Sequence, residues 1–177
     1  MSRDVPERAS VVVIGGGVIG ASVAFHLAES GVTDVVLVEK DELACGSTCK
    51  AAGGVRASFS NAANIVIGLR GLEVYSHFAQ DYGQEIDFIR DGYLYLLSDQ
   101  TNVEVFTESV ALQNSLGVPS RMISPEEAKK ISPLISTEGM LAACWSPQDG
   151  KATAEAVVMG YAAAERPEAP KPRRLVP

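Results

Sequence analysis

Near the amino terminus, three glycines and one glutamate have the types and spacing that can bind a dinucleotide. Gly15, Gly17 and Gly20 form the pattern G-x-G-x-x-G, and Glu39 follows the next apolar run. The first glycine permits a tight turn, the second lets a pyrophosphate approach the backbone, and the third lets a helix pack closely on a strand. The Glu39 carboxylate can accept hydrogen bonds from ribose hydroxyls and would repel a 2′-phosphate, which argues against NADP. The pattern therefore predicts a site for NAD or FAD and does not separate the two.

The elements that must position these residues lie on either side of them. Val11–Ile14 is a short apolar run, typical of a strand buried on both faces, and Val35–Val38 predicts a second such strand. Residues 18–30 predict the helix between them, with Gly31 well suited to end it. The N-terminus of a helix has unpaired N–H groups and the positive end of the helix dipole, so it attracts phosphate. We expect a βαβ unit with Glu39 at the tip of its second strand.

Composition narrows the class of protein. The chain has 177 residues, 46% of them hydrophobic, which suits one domain or slightly more. Its net charge of −7 argues against nucleic acid as a partner. No run reaches transmembrane length, and the first ten residues lack the apolar segment of a signal peptide. The cysteines, Cys45, Cys49 and Cys144, are odd in number and lack the spacing of a metal site, so we expect free thiols, no bound metal and a cytoplasmic location.

After the βαβ unit the chain alternates between helix and strand patterns without a visible repeat. An Asp91-Gly92 pair resembles a hairpin turn, and Ser124 followed by Pro125 is typical of a helix start. We predict helices at residues 61–82, 102–116 and 153–164, a short helix capped by Ser124, and strands at 86–97 and 140–145.

The loop after Glu39 carries a second motif, CGSTCKAAGGVR at residues 45–56. Gly46, Ser47 and Thr48 can present backbone N–H groups and hydroxyls to a pyrophosphate. The alanines and glycines at residues 51–54 have little side-chain bulk, so backbone there can lie against a flat ring. This loop favours a flavin over a nicotinamide cofactor.

With both motifs in view, the sequence resembles the D-amino-acid-oxidase-like family of FAD-dependent oxidoreductases. The similar branch holds sarcosine oxidase β subunits, dimethylglycine dehydrogenase, and glycine and proline oxidases. The resemblance covers residues 9–165. It rests on VVVIGGGVIGASVAFHLAESG, VVLVEK and GSTCKAAGGVR, with weaker support from DGYLYLL, SPEEAKKISPLI and WSPQDGKATAEAVVMGYA.

The resemblance implies an α/β fold with an α+β insertion. A Rossmann-like βαβ FAD-binding domain would be interleaved with part of an antiparallel-sheet substrate domain, and the family's second half would be missing, so we expect a truncated form. The implied parts are an FAD-binding part at residues 9–85, a partial substrate domain at 86–150, a returning helix at 151–165 and a disordered Pro/Arg tail at 166–177.

The resemblance also implies a reaction, the oxidation of the C–N bond of a small amino acid or N-methyl amino acid with hydride transfer to flavin N5. The FAD should be non-covalent, because Lys50 and Ala154 stand where relatives carry flavin-linking histidines. Two alternatives stay open: a catalytically inactive FAD-binding fragment and an NAD-dependent dehydrogenase. Partner subunits are implied by analogy with the family alone.

The resemblance assigns site residues, although it identifies no catalytic acid or base. Arg56 matches an arginine that contacts the substrate carboxylate, a task that suits the guanidinium fork. The residues implied to contact FAD are Gly15, Gly17, Gly20, Glu39, Lys40, Gly46, Ser47, Thr48, Ala52, Gly53 and Gly54.

Overall fold

The structure, a computed structural model, describes residues 6–164 and 173–175. It consists of two compact units that alternate along the chain. The first unit comprises Met1–Gly53, His77–Asp87 and Ala152–Pro177, and the second comprises Gly54–Ser76 and Phe88–Lys151. The mixed α/β fold with interleaved parts is as predicted.

Helices and strands alternate through most of the described chain. In chain order they are β1 (Val11–Ile14), α1 (Val18–Glu29), β2 (Val35–Val38), β3 (Gly54–Val55), α2 (Ala62–Ser76), α3 (Phe78–Tyr82), β4 (Tyr93–Leu97), α4 (Gln100–Ser115), β5 (Arg121–Ile123), α5 (Pro125–Ile131), β6 (Ala142–Ser146), β7 (Gly150–Lys151), α6 (Ala154–Ala163) and β8 (Arg173–Leu175).

The first unit contains the predicted βαβ arrangement. Strands β1 and β2 pair in parallel, from Val11 opposite Val35 to Ile14 opposite Val38. Helix α1 connects them, and its buried face includes Phe25. Rings from α1, α3 and α6 form an aromatic cluster, with centroid distances of 5.2 Å from Phe25 to Tyr82 and 5.5 Å from Phe25 to Tyr161. The predicted bounds of both strands are confirmed.

One expectation for β1 is wrong. It was predicted to be buried on both faces, yet Val12 is 53% exposed and Ile14 is 86% exposed. The strand order of this sheet is β1-β2-β8, so β1 lies at an edge of the described sheet. Val12 and Ile14 are alternate residues on one face of β1, and the described residues leave that face uncovered.

The predicted disordered tail, residues 166–177, falls mostly outside the described residues. Arg173–Leu175 differ from that prediction, because they form β8 and pair in parallel with β2. The far edge of β2 offers backbone donors and acceptors, and an extended segment can pair with them whatever its side chains are. The proline and arginine composition of the tail gave no sign of this strand.

The second unit is built on an antiparallel sheet, as the resemblance implied. Strand β6 lies in the centre and pairs with β4 and β5, with Tyr95 opposite Cys144 and Met122 on the other side of Cys144. A second, two-stranded sheet joins β3 to β7. Helix α2 packs through Ile65 and Leu72 into a core with Ala57 and Val118.

The predicted domain boundaries stay predictions, and the compact units are divided differently. Residues 54–76 were assigned to the FAD-binding part, whereas the structure places them in the second unit. The core contacts of α2 with Ala57 and Val118 explain this placement, since they join the helix to that unit.

The predicted helix at residues 61–82 is two helices, α2 and α3, that meet at His77. The Ser76 hydroxyl donates to the Leu72 carbonyl at 2.7 Å, a contact that often bends helices. His77 itself has φ −113° and ψ 5°, outside the helical range.

The predicted strand pair at residues 86–97 is also wrong in its first half. Only Tyr93–Leu97 is a strand, and it pairs with β6. Ile89 instead bridges to Lys151, and the Gly92 N–H donates to the Asp149 carbonyl at 2.9 Å. Asp91-Gly92 therefore connects two different pairings and is not a hairpin turn.

The start of α5 is confirmed in detail. The Ser124 hydroxyl accepts from the Glu127 N–H, and the Glu127 carboxylate accepts from the Ser124 N–H, both at 3.2 Å. Pro125 occupies the first turn, where a missing N–H costs nothing. The helices predicted at 102–116 and 153–164 are present as α4 and α6, and the strand predicted at 140–145 is β6.

Candidate functional site

The glycine turn between β1 and α1 has the geometry that its sequence predicts. Gly15 has φ +107°, in the region that favours glycine. A Cβ at Gly20 would overlap the Gly15 carbonyl oxygen, so α1 packs directly against the turn. Gly17 is the N-cap of α1, and its position provides no side-chain cap. The start of α1 thus presents backbone and the positive end of the helix dipole, which suits a phosphate.

The Glu39 carboxylate lies against this turn. One carboxylate oxygen accepts from the Gly16 N–H at 2.6 Å and the other from the Asp41 N–H at 3.1 Å. These two backbone bonds, Gly16 first, hold the pKa of Glu39 below its usual 4.5. Glu39 is therefore an ionised acceptor at neutral pH. Lys40 is exposed and pairs only loosely with Asp41, at 3.8 Å.

The second loop meets the start of α1 through Thr48. The Thr48 hydroxyl oxygen accepts from the Val18 N–H at 3.1 Å, and the residue is buried. Gly46 and Ser47, also predicted to contact the cofactor, are exposed at the surface of the loop. Of the predicted cofactor residues, the structure thus brings together the glycine turn, Glu39 and Thr48.

The small residues of the loop divide between the two units. Ala52 is exposed, and Gly53 has φ +74° while its carbonyl accepts from the Ala152 N–H at 2.9 Å. Gly54 belongs to the second unit and pairs with Lys151. A Cβ at Gly54 would overlap the Tyr93 hydroxyl, so small size is required there for packing within that unit.

Arg56 lies in the second unit, on the wall of a cavity of about 380 Å³ between β3 and α2. Its guanidinium carbon lies 4.8 Å from the centre of the Phe59 ring and 6.0 Å from that of Tyr93. The Tyr95 hydroxyl accepts a hydrogen bond from Arg56 Nη1 at 2.8 Å. Among the described residues, no carboxylate forms an ion pair with Arg56.

Helix α2 contributes further residues to the lining of the cavity. They include Asn64, Ile67, Gly68 and Tyr75. A Cβ at Gly68 would press on the Arg56 carbonyl oxygen, at 2.5 Å, so glycine lets α2 approach the segment that carries Arg56. The space combines a cation with aromatic and apolar walls, a combination typical of small-molecule sites.

Sequence reasoning did not identify three residues around Arg56. They are Tyr95, Ser58 and the fully buried Asp149. Asp149 accepts from the Ala57 N–H at 2.8 Å and from the Ser58 hydroxyl at 2.5 Å, and Ser58 in turn lies 2.8 Å from the Tyr95 hydroxyl. The only sequence signals were a tyrosine pair on one strand face and an aspartate before Gly150.

The cysteines are free thiols, as expected. Cys45 and Cys49 are exposed, and Cys144 is buried in the second unit. Burial raises the pKa of Cys144 to about 11, with a smaller contribution from the charge of Asp149. Cys144 is therefore protonated at neutral pH and a poor nucleophile. In the described chain, none of the helices is both long enough and apolar enough to cross a membrane.

Comparison with known proteins identifies the family. The sequence profile of the family described as FAD dependent oxidoreductase (DAO) matches residues 10–166. The chain belongs to this family. Its cofactor is accordingly FAD, and the NAD-dependent alternative is wrong.

Individual relatives agree with this membership. Mitochondrial dimethylglycine dehydrogenase of Mus musculus is 34% identical over 161 residues, which are 90% of this chain and 18% of the mouse protein. The mitochondrial pyruvate dehydrogenase phosphatase regulatory subunit of Mus musculus is 30% identical over 90% of this chain and 18% of that protein. The crystal structure of L-proline dehydrogenase from P. horikoshii is 38% identical, with a TM-score of 0.82 over 89% of this chain and 41% of that chain. The chain therefore spans a minor part of the length of these relatives.

The described residues fit the adenosine and pyrophosphate end of FAD. The start of α1, where Gly17 leaves room for a ligand, suits phosphate, and the ionised Glu39 suits ribose hydroxyls. Arg56, Phe59 and the cavity beside them belong to the second unit, where a guanidinium lies beside aromatic and apolar side chains.

Proposed function

We propose that this chain carries the cofactor-binding and carboxylate-binding parts of an enzyme that oxidises the C–N bond of a small amino acid or N-methyl amino acid. The observation that supports the proposal most strongly is the environment of the Arg56 guanidinium. The guanidinium lines a cavity with aromatic walls, and no described carboxylate pairs with it. A guanidinium without a countercharge favours binding of a carboxylate from solution.

In this proposal the protein binds and orients the substrate, and the cofactor would accept the electrons. The glycine turn, Glu39 and Thr48 would hold FAD without a covalent bond, and bound FAD would supply a hydride acceptor at N5. Arg56 fixes the substrate through its carboxylate. The aromatic and aliphatic side chains of the cavity would contact the apolar part of a small substrate.

The substrate class is supported by the names of relatives. Dimethylglycine, sarcosine and proline appear in the names of proteins similar to this chain, and each is a small amine with one carboxylate. We propose the same class here. A cytoplasmic location and partner subunits remain predictions.

A catalytically inactive FAD-binding protein is the second candidate. The chain covers 18% of the mouse dimethylglycine dehydrogenase, and one relative of similar coverage is named a regulatory subunit. Anaerobic addition of N-methylglycine, proline or dimethylglycine to the FAD-loaded chain separates the two candidates. The proposed enzyme loses its visible flavin absorption with at least one of these amines, whereas retention of the full band with all three supports the inactive candidate.

A further inference from the structure

Arg56 is connected to the interior of the second unit by a continuous chain of hydrogen bonds. Arg56 Nη1 lies 2.8 Å from the Tyr95 hydroxyl, which lies 2.8 Å from the Ser58 hydroxyl. Ser58 lies 2.5 Å from the Asp149 carboxylate. The participating residues come from the β3–α2 connection, from β4 and from the turn before β7, so tertiary folding assembles them.

The direction of these hydrogen bonds follows from the number of protons. A hydroxyl carries one proton, and the Ser58 proton is donated to the Asp149 carboxylate, which only accepts. The Tyr95 hydroxyl must then donate to Ser58, which leaves the Tyr95 oxygen to accept from Arg56. Every bond therefore points from the guanidinium towards the buried carboxylate. Such an aligned series polarises each of its members.

Both carboxylate oxygens of Asp149 accept hydrogen bonds within the second unit. The residue is fully buried, and the oxygen that does not accept from Ser58 accepts from the Ala57 N–H at 2.8 Å. Within the described ranges, no lysine or arginine forms an ion pair with Asp149. The nearest identified positive charge along its hydrogen bonds is Arg56, reached through two hydroxyl groups.

We propose that Tyr95, Ser58 and Asp149 are positioning residues for Arg56. They fix one edge of the guanidinium, while the Phe59 ring supports its face. The remaining N–H donors are thereby oriented for a substrate carboxylate before the substrate binds. This inference rests on the proposed function, because it assumes that Arg56 binds that carboxylate.

The Tyr95→Phe variant of the FAD-loaded, isotope-labelled chain tests the inference. It removes one hydroxyl and keeps the ring. Tyr93→Phe is the matched control, because the Tyr93 ring also lies near Arg56 while its hydroxyl makes no described hydrogen bond to the guanidinium. Two quantities are measured by NMR: the mobility of the Arg56 Nε–Hε group, and the ratio of affinities for N-methylglycine and its neutral amide.

The expected result is specific to Tyr95→Phe. The Arg56 side chain becomes more mobile, and the preference for N-methylglycine over the amide falls about threefold to tenfold. Tyr93→Phe changes neither quantity. A general structural defect would weaken both ligands together and leave the ratio unchanged. Asp149→Asn, where it folds, should shift both quantities in the same direction as Tyr95→Phe.

Failure of this inference and failure of the proposed function give different results. If Arg56→Ala abolishes the preference for the carboxylate while Tyr95→Phe leaves the ratio and the mobility unchanged, Arg56 binds the carboxylate without help and the positioning role is overturned. If wild type and Arg56→Ala show the same ratio of affinities for N-methylglycine and its amide, Arg56 does not bind the carboxylate. That result overturns both the proposed function of Arg56 and the positioning role of its partners.

Discussion

The two units form their candidate sites in different ways. In the first unit, the glycine turn, α1 and Glu39 follow one another within a single βαβ stretch, and backbone groups make the principal contacts. In the second unit, Arg56 depends on Tyr95, which is 39 positions away, and Ser58 depends on Asp149, which is 91 positions away. The candidate cofactor residues are local in sequence, whereas the surroundings of Arg56 are assembled by tertiary folding.

The units also differ in where they place charge. Glu39 is partly exposed, and backbone N–H groups stabilise its negative charge. Asp149 is fully buried and is linked through hydroxyls to Arg56. A surface carboxylate can be lost with little effect on folding, whereas a buried and hydrogen-bonded one cannot. Mutations in the second unit should therefore affect stability and binding together, and those in the cofactor turn mainly binding.

The largest expected effect is that of Asp149→Ala. The change leaves the Ala57 N–H and the Ser58 hydroxyl without their buried acceptor, which should lower the free energy of unfolding by about 2 to 5 kcal/mol. Urea denaturation measures this loss. Asp91→Ala is the control, since Asp91 is exposed and makes only a 3.8 Å ion pair with Lys151, so it should cost at most about 1 kcal/mol. Equal effects of the two substitutions would contradict the role of Asp149 as a buried hydrogen-bond acceptor that stabilises the fold.

Two glycines on α2 provide a sharper test of the second unit. Gly68→Ala should destabilise the protein by about 1 to 3 kcal/mol, because its methyl would press on the Arg56 carbonyl oxygen and on Ala57. Gly71→Ala has open space and should stabilise the helix by about 0.5 to 1 kcal/mol. Thermal unfolding of both variants measures the difference. A stabilising Gly68→Ala would show that α2 does not approach the Arg56 segment closely.

A smaller effect on stability, with a clear effect on binding, is expected in the first unit. Glu39→Ala should weaken FAD about tenfold, because the ribose loses its ionised acceptor. Fluorescence titration with FAD measures the affinity, and Glu42→Ala is the control, since Glu42 is an exposed carboxylate of the following loop. Unchanged affinity in Glu39→Ala would remove Glu39 from the cofactor site.

The same carboxylate predicts a pH dependence. Backbone donors lower the pKa of Glu39 in the folded protein, so this group favours folding above its unfolded pKa and the contribution is lost as the pH falls through the folded value. The FAD affinity that depends on Glu39 should therefore persist at neutral pH and decline only below about 4.5. Glu39→Gln should lack this acid transition.

Sequence patterns predicted the first unit well because its signals are local. The bounds of β1 and β2 follow from apolar runs, and the turn follows from Gly15 and Gly20. The prediction that β1 is buried on both faces was wrong, since the burial of a strand face depends on what packs on it from elsewhere in the chain. The tail strand β8 was missed because it forms by backbone pairing with β2, which is far away in the sequence.

In the second unit, the patterns predicted elements better than their pairing. The Ser124 cap was predicted because all its partners lie within one turn. Ile89 was placed in the wrong pairing, since its bridge to Lys151 joins residues far apart in sequence. Arg56 was identified through resemblance to the family, but its partners Tyr95 and Asp149 required the folded structure.

The central claim is that Arg56 of the second unit binds the carboxylate of the substrate. The most direct measurement is calorimetric titration of N-methylglycine into the FAD-loaded chain, for wild type and Arg56→Ala with equal FAD content. We predict that Arg56→Ala weakens binding at least about tenfold, since a charged hydrogen-bond partner of the carboxylate is lost. Equal affinities in the two proteins would contradict the account.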